Sequence, residues 1–368
     1  MRRRDDCGIR EGPRTVTRPV LVVTNHVPPD RVGALQALNE IEPLEVAIYG
    51  GRLHHGAAGV DDPGVPFRRL GQSAVLGAAA SGDYRAVIAS SAGRIALPSA
   101  YLGARKANVP FIYWTGIWHQ VATPTHLAAA PLVRWIESHA DAVIAYGPHV
   151  ANYVAGHGAA NVHVAPQAVD RDFWSQPGNG KVLRAALGDP EFLVGVAARD
   201  APGKGLQTAL AAWREGGLGD LAVAGTAAHE IEGQDAVHAL GALNPEQMRD
   251  LYAAADLWIV PSLATRAFKE PWGLVVNEAI HQGTPLVASD AVGAVAGGLI
   301  VDGKNGLVFA GGDAAGLAAA VKRLKGDAEL RRRLAAEATR SIGSYSFESW
   351  AQACSQALAS VSAGRGGC

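Results

Sequence analysis

The chain has 368 residues, 48% hydrophobic and 18% charged, with 33 Lys and Arg against 34 Asp and Glu. That length exceeds what one core usually serves, so two domains are expected, and the composition excludes a disordered chain. Near-zero net charge offers nucleic acid no basic face, the three cysteines (Cys7, Cys354, Cys368) fit no metal spacing and favour a reducing compartment, and no apolar run approaches the ~18–20 residues of a membrane span.

Residues 1–18 are polar and arginine-rich, lack the apolar core of a signal peptide, and read as a loose leader. Short apolar runs then alternate with helical patterns. Val20 to Val23, Glu45 to Tyr49, Ala86 to Ala89, Phe111 to Trp114 and Ala142 to Ala145 read as buried parallel strands, and Val162 to Ala165 as a further one. After the first strand comes Asn25-His26-Val27-Pro28-Pro29-Asp30-Arg31-Val32-Gly33, a strand-to-helix turn or a ligand loop. Trp114 and Trp118, in Tyr113-Trp114-Thr115-Gly116-Ile117-Trp118-His119, suit either stacking on a ring or packing. The polar, Gly-rich segment from Asp172 to Asp189 is the natural domain boundary.

A second strand series follows, at Phe192 to Val196, Leu221 to Ala224, Leu257 to Val260 and Pro285 to Ala288. Its first member runs into Arg199-Asp200-Ala201-Pro202-Gly203-Lys204-Gly205. Two cations at the carboxyl end of a strand stand where open α/β sheets take ligands, and together they suit a diphosphate. Alone, the same turn reads as two solvated surface cations. In Lys269-Glu270-Pro271-Trp272-Gly273-Leu274-Val275-Val276-Asn277-Glu278, two carboxylates stand eight positions apart. A helix is expected from Leu274 to Gln282, closed by Gly283. Amides around Gly273 to Val275 then form a helix start able to hold an anion, with one carboxylate beside it and another a turn below. Two solvated glutamates flanking an ordinary helix are the plain alternative. An apolar helix from Phe347 to Val361, with Trp350, Cys354 and Leu358, ends the pattern. Two doubly wound α/β halves facing across a cleft follow from the alternation.

With these elements in place, the chain resembles a GT-B glycosyltransferase of the retaining family 4 type, the glycosyl transferases group 1. The resemblance rests on Glu270…Glu278, Arg199…Lys204, Val237-His238-Ala239-Leu240-Gly241, the run from Leu251 to Ser262, Gly283-Thr284-Pro285 and Asp302-Gly303-Lys304-Asn305-Gly306. It is strong from Val194 to Phe309 and weaker upstream.

The resemblance implies a GT-B fold of two Rossmann-like domains. The first spans 19–172 and the second 191–345, with a linker at 173–190 and a helix at 346–363 that crosses back to the first domain. It implies that Arg199, Lys204 and the backbone at Trp272, Gly273, Leu274 and Val275 hold a donor diphosphate. Glu278 would hold the nucleotide ribose and Glu270 the sugar hydroxyls, while the backbone near Ala239 and Leu240 would meet the base. Gly33 stands for the loop glycine that approaches the donor phosphate, with Val32 where the family has a first glycine. His119 matches a histidine placed near the donor sugar, at a stretched spacing. The catalytic set is then Glu270, His119, Arg199 and Lys204.

No Asp-x-Asp element is placed to chelate a metal, so neither metal nor cofactor is expected. The donor is a UDP- or GDP-linked sugar, the acceptor a small soluble sugar, aminocyclitol or secondary metabolite, and the location cytoplasmic. A nucleotide-sugar 2-epimerase and a lipid-linked or polysaccharide-assembly transferase share the architecture. An NAD-dependent oxidoreductase is disfavoured because no G-x-G-x-x-G follows a strand.

Overall fold

The computed structural model describes residues 18–363 apart from 51–52, 55–56, 200, 202 and 232–235. The expected leader therefore lies outside the described residues but for Arg18, as do Asp200 and Pro202 of the cationic turn.

Two parallel sheets organise the chain. The first contains β1 (Val20–Thr24), β2 (Leu44–Ile48), β3 (Phe67–Arg69), β4 (Ala86–Ser90), β5 (Phe111–Thr115), β6 (Ala142–Ala145) and β7 (Val162–Val164), in the order β3-β2-β1-β4-β5-β6-β7. The second contains β8 (Leu193–Ala197), β9 (Asp220–Ala224), β10 (Val237–Gly241), β11 (Leu257–Val260), β12 (Leu286–Ser289) and β13 (Leu307–Phe309), in the order β10-β9-β8-β11-β12-β13. The fold is the doubly wound, two-domain α/β class expected. The central strands are buried on both faces, as Leu21, Val87, Ile112, Val194 and Ile259 show, which is why they read as unbroken apolar runs. Strands β3, β10 and β13 escaped that reading because they sit at or near sheet edges, where β3 is wholly exposed and β10 carries no fully buried residue.

Five helices matter for the site. They are α1 (Pro29–Ile41), α2 (Pro148–Ala155), α3 (Leu206–Arg214), α4 (Val275–His281) and α5 (Phe347–Ala363). Two short helices, Arg171–Trp174 and Gly180–Ala186, lie at the start of and within the segment 173–190. Gly283 lies just past α4 with φ of 73°, the left-handed conformation that closes a helix without a Cβ penalty. Helix α5 follows the second sheet in sequence but packs in the first domain's core, where Trp350, Cys354, Leu358 and Val361 join Val22, Leu35 and Ile144. Each large apolar side chain buried there is worth about 1.5–3 kcal/mol. This helix carries the chain from the second domain back onto the first.

Candidate active site

The carboxyl ends of both sheets border a cleft of about 590 Å³. From the second domain, Arg199, Lys204, Glu270, Glu278 and the start of α4 line it, and from the first, Pro28, Asp30 and Arg31.

Backbone geometry delivers the cations. The turn after β8 ends at Gly205, whose φ is 75°; a Cβ there would come 1.8 Å from the Pro261 carbonyl. Only glycine permits that approach, which carries Lys204 to the end of β11. Lys204 Nζ lies 2.5 Å from Glu270 Oε2, with both side chains largely buried. Ser262 Oγ donates to the same carboxylate oxygen at 3.2 Å. Arg199 is exposed on the cleft wall.

The Glu270 backbone is gripped from across the cleft. Trp118 Nε1–H donates to the Glu270 carbonyl at 3.0 Å, and from within the second domain Gly293 N–H donates to the same oxygen at 3.1 Å. The His149 ring at the start of α2 donates from Nε2 to the Pro271 carbonyl at 3.1 Å. Burial pushes the titration of His149 down, the Pro271 hydrogen bond opposes that shift and the nearby Lys269 charge adds to it. The Lys269 ammonium lies 3.5 Å from the centre of the Trp118 ring, a cation–π contact. Ala122 N–H closes the clasp on the Arg266 carbonyl at 2.6 Å. Four contacts from the first domain thus converge on residues 266–271.

Glu278, on α4, accepts the Tyr252 hydroxyl at 2.5 Å. Burial pushes its carboxyl up to about 7; the Tyr252 hydrogen bond opposes that shift and the Asp30 charge facing it adds to it. Gly273, with φ of 89°, turns the chain into α4 just above this carboxylate. Trp272 is buried, and its indole donates to Asn277 Oδ1 at 2.8 Å, while Asn277 Nδ2 donates to the Gln167 carbonyl at 2.9 Å. Trp272, Gly273, Leu274 and Val275 all reach the cleft.

The structure brings together Arg199, Lys204, Glu270, Glu278 and residues 272–275. It places four expected residues elsewhere. Gly33 lies inside α1, because the helix already starts at Pro29, and it faces α5: a Cβ there would sit 2.3 Å from the Phe347 ring. His119 faces a separate cavity of about 110 Å³ with Tyr113, Glu137 and His157. The Ile117 N–H bonds the Thr115 hydroxyl at 3.1 Å, and the loop then presents Trp118, not His119, to Glu270. Ala239 and Leu240 lie on β10, and the cleft wall there is formed by Ala242 and Leu243 just beyond the strand. Among the described residues no three His, Cys, Asp or Glu converge as metal ligands.

Sequence reasoning passed over Ser262, Tyr252 and Arg31. Arg31 is buried, with its guanidinium 5.1 Å from the Trp114 ring and one N–H on Gln167 Oε1 at 2.7 Å. The rule that singled out Arg199, a cation just past a strand's carboxyl end, applies equally to Arg31 after β1.

Residues 185–341, which include every second-domain residue above, match the family described as glycosyl transferases group 1. The matched stretch lies over the second domain. The chain is 37% identical over 122 residues to a D-inositol 3-phosphate glycosyltransferase of Nocardia farcinica, a stretch covering 32% of this chain and 24% of that protein. It is 35% identical over 116 residues to the lipopolysaccharide core biosynthesis glycosyltransferase LpsE of Rhizobium meliloti, covering 31% of this chain and 32% of LpsE. The chain thus spans about a quarter to a third of the length of these glycosyltransferases. In overall fold it is similar to Anabaena Alr3699/HepE solved with UDP, with a TM-score of 0.75 and 20% identity over 93% of this chain and 100% of that one.

Proposed function

We propose that this chain is a retaining glycosyltransferase that moves a sugar from a nucleotide-diphosphate sugar to an acceptor hydroxyl without a metal ion. The observation that carries the reading is the Lys204–Glu270 pair at the carboxyl ends of β8 and β11, inside a cleft that also presents Arg199 and Glu278. In this reading Arg199, Lys204 and the amides opening α4 take the diphosphate, and Glu278 accepts hydrogen bonds from the ribose hydroxyls. Glu270, already held by Lys204 and Ser262, accepts from hydroxyls of the transferred sugar. Lys204 therefore bridges the departing phosphate and the carboxylate beside the reacting carbon.

The anomeric C–O bond to phosphate breaks with its electron pair going to the diphosphate, which Arg199 and Lys204 stabilise. The acceptor oxygen bonds to the same face of the anomeric carbon and passes its proton to the leaving phosphate oxygen. Support for a UDP-linked donor comes from Alr3699/HepE, whose solved complexes contain UDP and UDP-glucose. We place the enzyme in the cytoplasm with a small soluble acceptor, in keeping with the absence, among the described residues, of any helix long and apolar enough to cross a membrane.

A thermal-shift panel of UDP-, GDP- and dTDP-sugars tests the donor, because a ligand that binds only the native state raises its stability by mass action. Nuclear magnetic resonance of the product then reads the anomeric configuration. Stabilisation by one nucleotide class and a product retaining the donor's configuration are expected. No stabilisation, an inverted product, or donor epimerised without acceptor overturns the reading.

A further inference from the structure

The chain crosses between its two domains twice. It leaves the first core after Ala165 and joins the second at Val169 and Trp174, and it leaves the second after Ile342 to re-enter the first through α5. A cavity of about 310 Å³ lies where these crossings run side by side. The first crossing lines it with Arg171 and Ser175, the second with Tyr345 and Ser346, and the helix Ala328–Ser341 with Thr339. His281 completes the wall. It is the last residue of α4, whose first residue lines the donor cleft, so one short helix runs from the cleft to this cavity.

Lining and size restrict what the cavity takes. Arg171 is exposed on its wall and makes no ion pair among the described residues. His281 Nδ1 lies 3.2 Å from Ser175 Oγ, while its buried Nε2 has no partner among the described residues. A buried polar atom left unpaired is a cost that a ligand atom removes. Burial pushes the titration of His281 down and the Arg171 charge adds to that shift, so an anion set between the two relieves their opposition. Two residues past Ser346 stands Glu348, its carboxyl held below the ordinary range first by Ser346 and more weakly by Arg171. That negative charge disfavours a diphosphate or longer polyanion and leaves room for one phosphate. A cavity of roughly 150 Å³ holds a benzene ring, so this one takes a single ring with a phosphate-sized group. The hydroxyls of Thr339 and Ser346 both donate and accept, which suits the polar edge of such a ring.

We propose that this cavity is an effector site for a phosphomonoester carrying one hydroxylated ring, and that filling it strengthens donor binding. The phosphate meets Arg171 and His281, and the ring lies along Tyr345 towards Ser346 and Thr339. Contacts at both ends of α4 supply the coupling. Gln282, the residue after His281, donates to the Trp174 carbonyl and to the Gln176 carbonyl at 2.8 Å, and accepts from Gly178 N–H at 3.1 Å. The first crossing is thereby strapped to the end of the helix. The Tyr345 ring lies 5.5 Å from the Trp272 ring, and Trp272 lines the donor cleft. A ligand spanning Arg171 and Ser346 ties the two crossings together in the arrangement that closes the Trp118–Glu270 clasp, where the donor groups converge. By linkage, a bound donor tightens the effector by the same factor. The coupling rests on the donor site proposed above.

Calorimetry on the full chain titrates a panel of hexose and cyclitol monophosphates, inorganic phosphate and the unphosphorylated rings, with and without the nucleotide sugar that stabilises the enzyme. A monophosphate is expected to bind, the bare rings to fail, and inorganic phosphate to bind about tenfold more weakly. Arg171→Gln is expected to weaken monophosphate binding by about 10- to 100-fold and His281→Ala by about 3- to 10-fold. Donor affinity without effector stays at the wild-type value in Arg171→Gln. Because a phosphate also suits the donor cleft, folded Lys204→Ala is the control and keeps the wild-type monophosphate affinity. Saturating monophosphate is expected to tighten donor Kd of the wild type by about 5- to 10-fold, an effect that Arg171→Gln loses. Absence of monophosphate binding, binding unchanged in Arg171→Gln, or binding lost in Lys204→Ala overturns the site. Equal binding of inorganic phosphate overturns the ring, and an unmoved donor Kd overturns the effector role. A wild type that holds the monophosphate through Arg171 yet binds no nucleotide sugar would instead strike the proposed function.

Discussion

With Glu278 as the proposed ribose acceptor, donor binding is expected to be a proton-linked event. The Glu278 carboxyl is pushed by burial from an ordinary 4.5 to about 7, so at pH 6 it is about nine-tenths protonated. Ribose hydroxyls donating to it favour the ionised form, so a bound donor draws the carboxyl back towards its ordinary value. Binding at pH 6 then releases close to one proton, and donor Kd is about tenfold weaker at pH 6 than at pH 8. The assay is calorimetry with an intact nucleotide sugar, which has no phosphate ionisation in that range, in two buffers of different protonation enthalpy. Glu278→Gln should abolish both the proton release and the pH dependence. The same shift has a stability consequence with a definite sign. Between 4.5 and about 7 the unfolded chain gives up the proton and the native state keeps it, so apo stability falls as pH rises through that window. A donor Kd equal at pH 6 and pH 8, or a dependence that survives in Glu278→Gln, refutes the reasoning.

The remaining predictions concern the cations and the clasp. Lys204→Ala removes the charge that pairs with Glu270 and, in the proposed reading, with the donor; it should weaken donor binding by about 1.5–3 kcal/mol in calorimetry and lower the melting temperature, because the Glu270 carboxylate is left without its cation. Trp118→Phe keeps an aromatic ring for Lys269 but removes the N–H on the Glu270 carbonyl. It should lower kcat by about 3- to 10-fold, for about 0.5–1.5 kcal/mol, with donor KM unchanged in steady-state kinetics.

Much of the fold was legible because the central strands are buried on both faces and read as continuous apolar runs. The Glu270…Glu278 and Arg199…Lys204 spacings were legible because each lies within one local turn-and-helix unit. The clasp was not, since Trp118 and Glu270 meet across 152 positions and nothing in either segment announces the other. Gly33 shows the reverse failure. Its place after a Pro-rich turn suggests a ligand loop, but its partner is Phe347, brought there by a helix returning from the far end of the chain. Arg31 is caged by rings from three separate segments, Trp114, Tyr146 and Trp350, a grouping that only the tertiary structure creates.

The most direct measurement is the kinetics of Glu270→Gln at saturating acceptor, compared with the wild type. The carboxylate is held by Lys204 and Ser262 in the cleft, where positive charge would develop on the transferred sugar. An interaction that strengthens at that stage lowers the barrier selectively. The account predicts a fall in kcat of about 30- to 1000-fold, for roughly 2–4 kcal/mol, with donor KM changed far less. A Glu270→Gln enzyme with near-normal kcat contradicts it.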